Sequence, residues 1–134
     1  MFIAEENTIP ASTGFSDSPE NLAKHIVRIK HLNVHAGEHH ILKNVDLEIP
    51  RNKITVLLGP SGCGKTTLLK CMNKLTDLYR ELEVSGNIFI EKDDILNTTT
   101  NIASIRQKMG LLSQRPYPLP VSIYKNVSYG LKLK

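Results

Sequence analysis

The sequence predicts an α/β domain, and three consecutive features support that prediction. The run ITVLL at residues 54–58 is continuously apolar, as expected for a strand that is covered on both faces in a parallel sheet. A glycine-rich turn follows at residues 59–64, and apolar residues then recur at helical spacing. Strand, tight turn and helix in this order form the repeating unit of α/β folds.

Length and composition indicate one modest domain. The chain has 134 residues, of which 40% are hydrophobic, and this is enough for a single core. A formal charge of +4 gives a mildly basic surface, which does not distinguish phosphate groups, anionic lipid and protein as partners. No apolar stretch approaches the roughly 18 residues of a membrane span, and residues 1–10 lack the features of a signal peptide. We therefore expect a cytoplasmic protein.

Residues 1–24 are predicted to form a mobile polar leader, and residues 25–134 the folded domain. The leader shows no sustained hydrophobic period. The segments HIVRIKHLNV and ILKNVDLEI that follow are rich in β-branched residues and predict strands. In the second strand, alternation places four apolar residues on one face: Ile41, Val45, Leu47 and Ile49.

An amphipathic helix and a hairpin are predicted after the glycine turn. The apolar residues of the helix are Leu68, Leu69, Met72 and Leu75. The segment SGNIFIEKDDIL, residues 85–96, predicts a strand with a polar turn that contains Asp93 and Asp94.

The last third of the sequence predicts a helix, a strand and a proline-rich loop. TTTNIASIRQK, residues 98–108, has the pattern of a short helix opened by a threonine cap, and MGLLSQ, residues 109–114, that of an apolar strand. Prolines in RPYPLP then exclude regular structure. Beyond them, Ile123, Val127 and Leu131 recur four residues apart.

The glycine turn has the spacing G-x-x-x-x-G-K-[ST] of a phosphate-binding P-loop. Glycines allow the backbone to curl with positive φ, so that its N–H groups and those of the following helix N-terminus surround an anion. Lys65 is predicted to reach the β- and γ-phosphates, and the Thr66 hydroxyl to ligate Mg²⁺. The predicted nucleotide-binding residues are Gly59, Pro60, Ser61, Gly62, Cys63, Gly64, Lys65, Thr66 and Thr67.

Two alternatives concern this turn. The first alternative is that the turn is only a tight connection and binds no ligand. Against this alternative, the turn has a strand before it and a helix after it, which is the context that the motif requires. Cys63 is either a small filler in the loop or a reactive thiol open to oxidation. Because Cys63 and Cys71 form no C-x-x-C pair, we expect both to be free thiols.

A second motif, HAGEH at residues 35–39, has the H-x-x-E-H spelling of a metalloprotease. The motif requires a helix, but Gly37 would lie inside it and the flanking residues alternate like strands. We therefore expect His35, His39 and His40 to be exposed turn residues rather than zinc ligands. Packing of one of them on a nucleotide base remains the alternative.

Three segments together resemble the ATP-binding cassette (ABC) ATPases, and especially the ATP-binding subunits of phosphate importers. They are ITVLLGPSGCGKTTLLKCMNKL, LLSQ and PYPLPVSIYKNVSYGLKL, and the similarity extends over residues 25–134. The resemblance implies a P-loop NTPase (RecA-like) core with an N-terminal antiparallel β subdomain. It also implies that Gln114 contributes to the Mg²⁺ and water environment of the γ-phosphate. The implied catalytic residues are then Lys65 and Gln114, and the implied metal ligands are Thr66 and Gln114.

The function implied by the resemblance is ATP hydrolysis that energises an importer for inorganic phosphate. The implied cofactors are ATP and Mg²⁺, and the implied partners are a second copy of the chain and integral membrane permease subunits, without nucleic acid. The protein would lie at the cytoplasmic face of the membrane. One alternative is a catalytically silent nucleotide-binding fragment. Another is a P-loop kinase or small NTPase, which would need an arginine-rich lid, but the sequence after Arg80 contains only two arginines, Arg106 and Arg115.

The sequence departs from the family pattern in two places. Ala36 stands where the family usually carries an aromatic residue that stacks on adenine, so His35 or His39 would have to substitute. The signature segment, the Walker B strand and the switch histidine would lie beyond Lys134, so we expect the C-terminal half of the fold to be missing. Because Asp93 and Asp94 do not replace the Walker B carboxylates, the sequence predicts weak Mg-ATP binding and negligible turnover.

Overall fold

A four-stranded antiparallel sheet is the largest element of the structure. The computed structural model describes residues 2–4, 24–96, 102–115 and 117–132. Within them the sheet has the order β3-β2-β5-β6, with strands β2 (His25–Ala36), β3 (His39–Pro50), β5 (Leu82–Ile90) and β6 (Asp93–Asp94). This is the antiparallel β subdomain expected at the N-terminal side of the fold. The hairpin predicted around residues 85–96 is confirmed, with Asp93 and Asp94 in its second strand rather than in its turn.

The hydrophobic core lies between this sheet and helix α1 (Lys65–Met72). Its fully buried apolar side chains are Ile29, Leu32, Val34, Leu68, Cys71, Ile88 and Ile95. Full burial of an aliphatic side chain contributes roughly 1.5 to 3 kcal/mol, so this contact fixes where α1 begins relative to the sheet. The predicted apolar face of α1 needs two corrections. Leu75 lies beyond the end of α1, in a separate 3₁₀ turn. Leu69 is 40% exposed, and Cys71 takes its place because it lies three residues after Leu68.

A β-bulge in β3 changes which residues face the core. Leu32 pairs with Val45 and Val34 pairs with Leu42, so β3 has one more residue than β2 between the two pairs. Asn44, inside this interval, has a φ of 46°. The extra residue reverses the alternation of side chains. Leu42, only 3% exposed, therefore occupies the core face on which Ile41 was predicted.

A separate two-stranded antiparallel sheet pairs β1 (Phe2–Ala4) with β4 (Val56–Leu58). The prediction of a strand covered on both faces is wrong for the described residues, since Ile54 is 90% exposed and Leu58 is 52% exposed. The reason is that only β1 pairs with β4 in the described part of the chain, so no parallel sheet encloses it. Residues 5–23, most of the predicted leader, lie outside the described residues.

The chain beyond β6 contains helices α2 (Ile102–Lys108) and α3 (Ile123–Ser128), and short 3₁₀ turns cover Leu75–Leu78 and Tyr129–Lys132. Helix α2 confirms the prediction for residues 98–108, although its threonine cap lies outside the described residues. The strand predicted at residues 109–114 is wrong. These residues are irregular and Leu112 is 92% exposed, because no described strand pairs with them.

Helix α2 is hydrogen-bonded to the C-terminal end of α1 through Arg106. The Arg106 guanidinium donates to the carbonyls of Asn73 and Lys74, at 3.3 and 3.1 Å. These carbonyls lie at or just beyond the end of α1, where a positive charge is favourable. In the same helix, hydrogen bonds from Lys108 to Asp93 and Glu91 raise the pKa of Lys108.

None of the helices in the described residues is both long enough and apolar enough to cross a membrane.

Candidate functional site

The loop of residues 59–64 connects β4 to α1, and two of its glycines adopt a left-handed backbone. Gly62 has a φ of 80° and Gly64 a φ of 94°. A Cβ on Gly64 would lie 2.6 Å from Cδ2 of Leu42 and 3.5 Å from the carbonyl oxygen of Ile41. Gly64 is therefore required twice, by its backbone conformation and by the close approach of the loop to β3.

The Lys65 side chain folds back across this loop. Its ammonium donates to the carbonyl oxygens of Gly59 and Pro60, both at 2.7 Å, and lies 3.5 Å from Sγ of Cys63. A Cβ on Gly59 would lie 2.7 Å from that sulfur, so the first glycine leaves room for the Cys63 side chain. The geometry brings Gly59, Cys63 and Lys65 together, and the predicted contact of Lys65 with phosphates stays a prediction.

The N-terminus of α1 is free of a competing side chain. Gly64, its N-cap residue, makes no side-chain cap hydrogen bond, and the first turn contains no acidic residue. The first N–H groups of a helix have no intrahelical partner, and together they form a positive pole that favours an anion. The first turn of α1 and the ammonium of Lys65 thus place positive charge on the same loop.

The hydroxyl residues of the motif are accessible. Ser61 and Thr66 are exposed, and Thr67 is half-buried. Hydroxyl and amide oxygens are hard ligands of the kind that Mg²⁺ accepts beside phosphate oxygens. The loop shaped by its glycines, the Lys65 ammonium and these hydroxyls fit a nucleoside triphosphate with Mg²⁺.

Gln114 lies in the irregular segment 109–115 and is exposed. Among the described residues, no hydrogen bond or ion pair joins it to residues 59–67. Its predicted contribution at the γ-phosphate therefore stays a prediction.

The histidines of HAGEH lie in a β-hairpin and not on a helix. Gly37 and Glu38 form the turn between β2 and β3, and the rings of His35 and His40 stack with centroids 3.8 Å apart. His40 is also within hydrogen-bond distance, 3.0 Å, of the side chain of Asn33. Desolvation, followed by the nearby charges of His35 and Lys43, lowers the pKa of His40. The expectation of exposed turn residues is wrong in that all three histidines lie in the paired strands beside the turn: His39 is exposed, whereas His35 and His40 are half-buried.

The carboxylates of Asp93 and Asp94 are engaged away from the loop. Asp94 accepts a hydrogen bond from Asn87 at 2.6 Å, and Asp93 accepts one from Lys108 at 3.2 Å.

A cavity of about 450 Å³ lies between the 3₁₀ turn Leu75–Leu78 and β5, and none of residues 59–67 lines it.

Sequence reasoning missed one residue that the structure makes prominent. Asn126, in helix α3, forms hydrogen bonds with both backbone groups of Leu119. Nothing in its sequence spacing distinguishes it from a solvent-exposed asparagine on a short helix.

Comparison with known protein families relates much of the chain to a known family. Residues 42–130 match the family model described as ABC transporter. The matched region includes the 59–64 loop, α1, Gln114 and α3, and it covers more than half of the 134 residues.

Proposed function

The chain belongs to the ABC transporter family, and on that premise we propose that it is the ATP-binding subunit of an importer for inorganic phosphate. Residues 59–67 bind Mg-ATP, and hydrolysis in a dimer of these subunits drives transport through membrane permease subunits. The observation that carries the nucleotide part of this proposal is the Lys65 ammonium, which lies across a loop that two left-handed glycines shape.

Each residue of the loop has a proposed task. The backbone N–H groups of residues 59 and 61–67 replace the hydration of the phosphates, and Ser61 and Thr67 add hydroxyl donors. Lys65 exchanges its two carbonyl acceptors for phosphate oxygens, which pair better with an ammonium because they are charged. Thr66 and Gln114 are the proposed protein ligands that would hold Mg²⁺, which would supply charge neutralisation for the triphosphate.

The adenine ring needs a partner other than Ala36. We propose that the β2–β3 turn supplies it through its histidines. His39 is exposed and lies opposite Ala36 in the hairpin register, while His35 is engaged with His40. The five-membered ring of histidine offers a smaller stacking surface than the ring of tyrosine, phenylalanine or tryptophan, so we expect a weaker contribution to affinity.

The direction of transport and the solute rest on sequence similarity. PYPLPVSIYKNVSYGLKL resembles the segment that follows the glutamine in phosphate importers. Helix α3 in this segment exposes apolar side chains, with Ile123 85% and Val127 79% accessible, and these supply surface for the proposed membrane partners.

A second candidate function is nucleotide binding without turnover. It is favoured by the engagement of Asp93 and Asp94 with Lys108 and Asn87, which leaves no carboxylate of this hairpin to organise Mg²⁺ or water at the loop. In-line attack on the γ-phosphate needs such groups. Under this second candidate function, the chain binds Mg-ATP weakly and hydrolyses it negligibly.

Isothermal titration calorimetry with Mg-ATP tests the proposed site. Lys65→Ala is expected to weaken binding at least tenfold, because the only ammonium on the triphosphate is lost. Lys53→Ala removes an exposed lysine from the turn before β4 and is expected to leave binding unchanged. Cys63→Ala is expected to have a much smaller effect than Lys65→Ala. Equal losses for Lys65→Ala and Lys53→Ala would contradict the assigned role of the loop.

A further inference from the structure

The cavity between the 3₁₀ turn Leu75–Leu78 and β5 has the size and charge of a binding site. Its volume of about 450 Å³ is within the range of small-molecule sites, about 300 to 1,000 Å³. Its charged lining residues are Lys74, Asp77 and Arg80. Glu81 and Glu83, which follow in the sequence, do not line it. With two cations against one carboxylate, the cavity favours an anion over a cation.

The Lys74 ammonium at this cavity has unused hydrogen-bond donors. Its side chain is only 14% exposed, and it forms an ion pair with Asp77 at 3.6 Å. Within the part of the chain that the structure describes, the ammonium forms no hydrogen bond. An ammonium has three hydrogens to donate, and a charge held away from water is costly unless hydrogen bonds satisfy it. An anion in the cavity would supply the missing acceptors.

The backbone of Lys74 is held in place before any ligand binds. Its φ of 50° lies in the left-handed region, which glycine, asparagine and aspartate adopt more readily than lysine. The N–H of Lys74 donates to the carbonyl of Cys71 at 3.0 Å, and its carbonyl accepts from Arg106 at 3.1 Å. These contacts fix the residue at the cavity, so that less order has to be imposed on binding.

Tyr79 and Arg80 bring further donors to the cavity lining. The Tyr79 hydroxyl accepts a hydrogen bond from the Lys70 ammonium at 3.0 Å, so its own hydrogen can be donated to an acceptor. Arg80 is exposed, and its guanidinium forms no hydrogen bond or ion pair with a described residue. A guanidinium binds phosphate and carboxylate groups through two parallel hydrogen bonds.

Part of the cavity wall is apolar. Leu82, Val84 and Leu96 line the cavity and pack against the hydrophobic core, and all three are half-buried. The N–H of Leu82 donates to the carbonyl of Tyr79 at 3.1 Å, which joins this wall to the donors. A ligand with a short apolar body removes this surface from water, whereas a bare inorganic ion leaves it exposed.

We propose that this cavity binds a small organic anion. Its phosphate or carboxylate head contacts Lys74 and Arg80, and its apolar body lies against Leu82 and Val84. The inference goes beyond the proposed function and does not depend on it, because none of residues 59–67 lines the cavity.

Two-dimensional ¹⁵N–¹H NMR spectra of the 134-residue chain test the proposal by titration with four compounds. We expect phenyl phosphate to shift the amide signals of residues 74–86 in a saturable way. Benzoate carries a carboxylate on the same ring, so the tighter of these two anions identifies the preferred head. Inorganic phosphate lacks the apolar body and should bind more weakly. Benzyl alcohol lacks the charge and should not produce saturable shifts.

Three variants examine the assigned contacts. Arg80→Gln is expected to weaken binding of the tighter anion about tenfold, because a hydrogen bond between charged groups is lost. Lys74→Asn is expected to have a similar effect, and asparagine tolerates the left-handed backbone at this position. Arg115→Gln changes another exposed arginine, which does not line the cavity, and should leave binding unchanged. Urea denaturation of each variant checks that it is folded.

The outcomes separate this cavity from the P-loop. The proposal is refuted if neither anion shifts residues 74–86, if benzyl alcohol binds as tightly as the anions, or if folded Arg80→Gln or Lys74→Asn binds like wild type. Shifts confined to residues 59–67 that disappear in Lys65→Ala would also refute it, while the proposed nucleotide site would stand. Shifts at 74–86 that persist in Lys65→Ala support it.

Discussion

Substitution of Gly64 by alanine tests whether the loop geometry depends on both backbone conformation and close packing. At a φ of 94° an alanine is strained by roughly 1 to 2 kcal/mol relative to glycine. Its Cβ would also lie 2.6 Å from Cδ2 of Leu42, and overpacking of a core contact adds about 1 to 3 kcal/mol. We therefore expect Gly64→Ala to lower the free energy of unfolding by about 2 to 5 kcal/mol.

Two control substitutions separate these contributions in urea denaturation. Gly62 has a φ of 80° but no atom within 4 Å of an added Cβ, so Gly62→Ala should show the strain alone, about 1 to 2 kcal/mol. Gly110 has neither a positive φ nor a close neighbour, and Gly110→Ala should change stability by less than about 0.5 kcal/mol. A loss for Gly64→Ala no larger than for Gly62→Ala would refute the packing argument, and one as small as for Gly110→Ala would refute both.

Further expectations concern the thiols, helix α2 and turnover. Burial raises the pKa of Cys71 to about 11 from 9.0, so its neutral form stabilises the fold below pH 9 and this contribution, about 2 kcal/mol, is lost as pH rises towards 11. Denaturation of the wild type and Cys71→Ala across pH 8 to 11 checks this, and equal pH dependence would contradict it. Arg106→Ala should lower stability by about 1 to 3 kcal/mol, because two carbonyls at the end of α1 lose a charged donor, whereas Arg115→Ala, at an exposed position, should not. Under the second candidate function, phosphate release from Mg-ATP should be indistinguishable between wild type and Lys65→Ala, and Lys65-dependent turnover would contradict that function.

Much of the candidate site could be predicted because its motif constrains the backbone locally. Gly62 and Gly64 have positive φ, and Lys65 reaches the carbonyl of Gly59, within six residues of one another. Short-range spacing is enough to specify such a loop. The β2–β3 and β5–β6 hairpins were predictable for the same reason, since a turn and two alternating segments define each of them.

The rest of the fold depends on contacts between distant residues. The bulge at Asn44 reverses the alternation of β3, and its sequence signal is a single asparagine that also occurs in ordinary turns. The runs ITVLL and MGLLSQ have the composition of buried strands, but composition does not supply the neighbouring strands that would cover them. Asn126 forms hydrogen bonds with Leu119, seven residues earlier, and hydrogen bonds of this kind follow from the path of the loop rather than from helical spacing.

A crystal structure of the chain with Mg²⁺ and AMP-PNP tests the central claim most directly. The account predicts triphosphate density along the backbone of residues 59–67, with the Lys65 ammonium moved from the carbonyls of Gly59 and Pro60 to phosphate oxygens. Density for the analogue elsewhere on the protein, with Lys65 still donating to those two carbonyls, would contradict it.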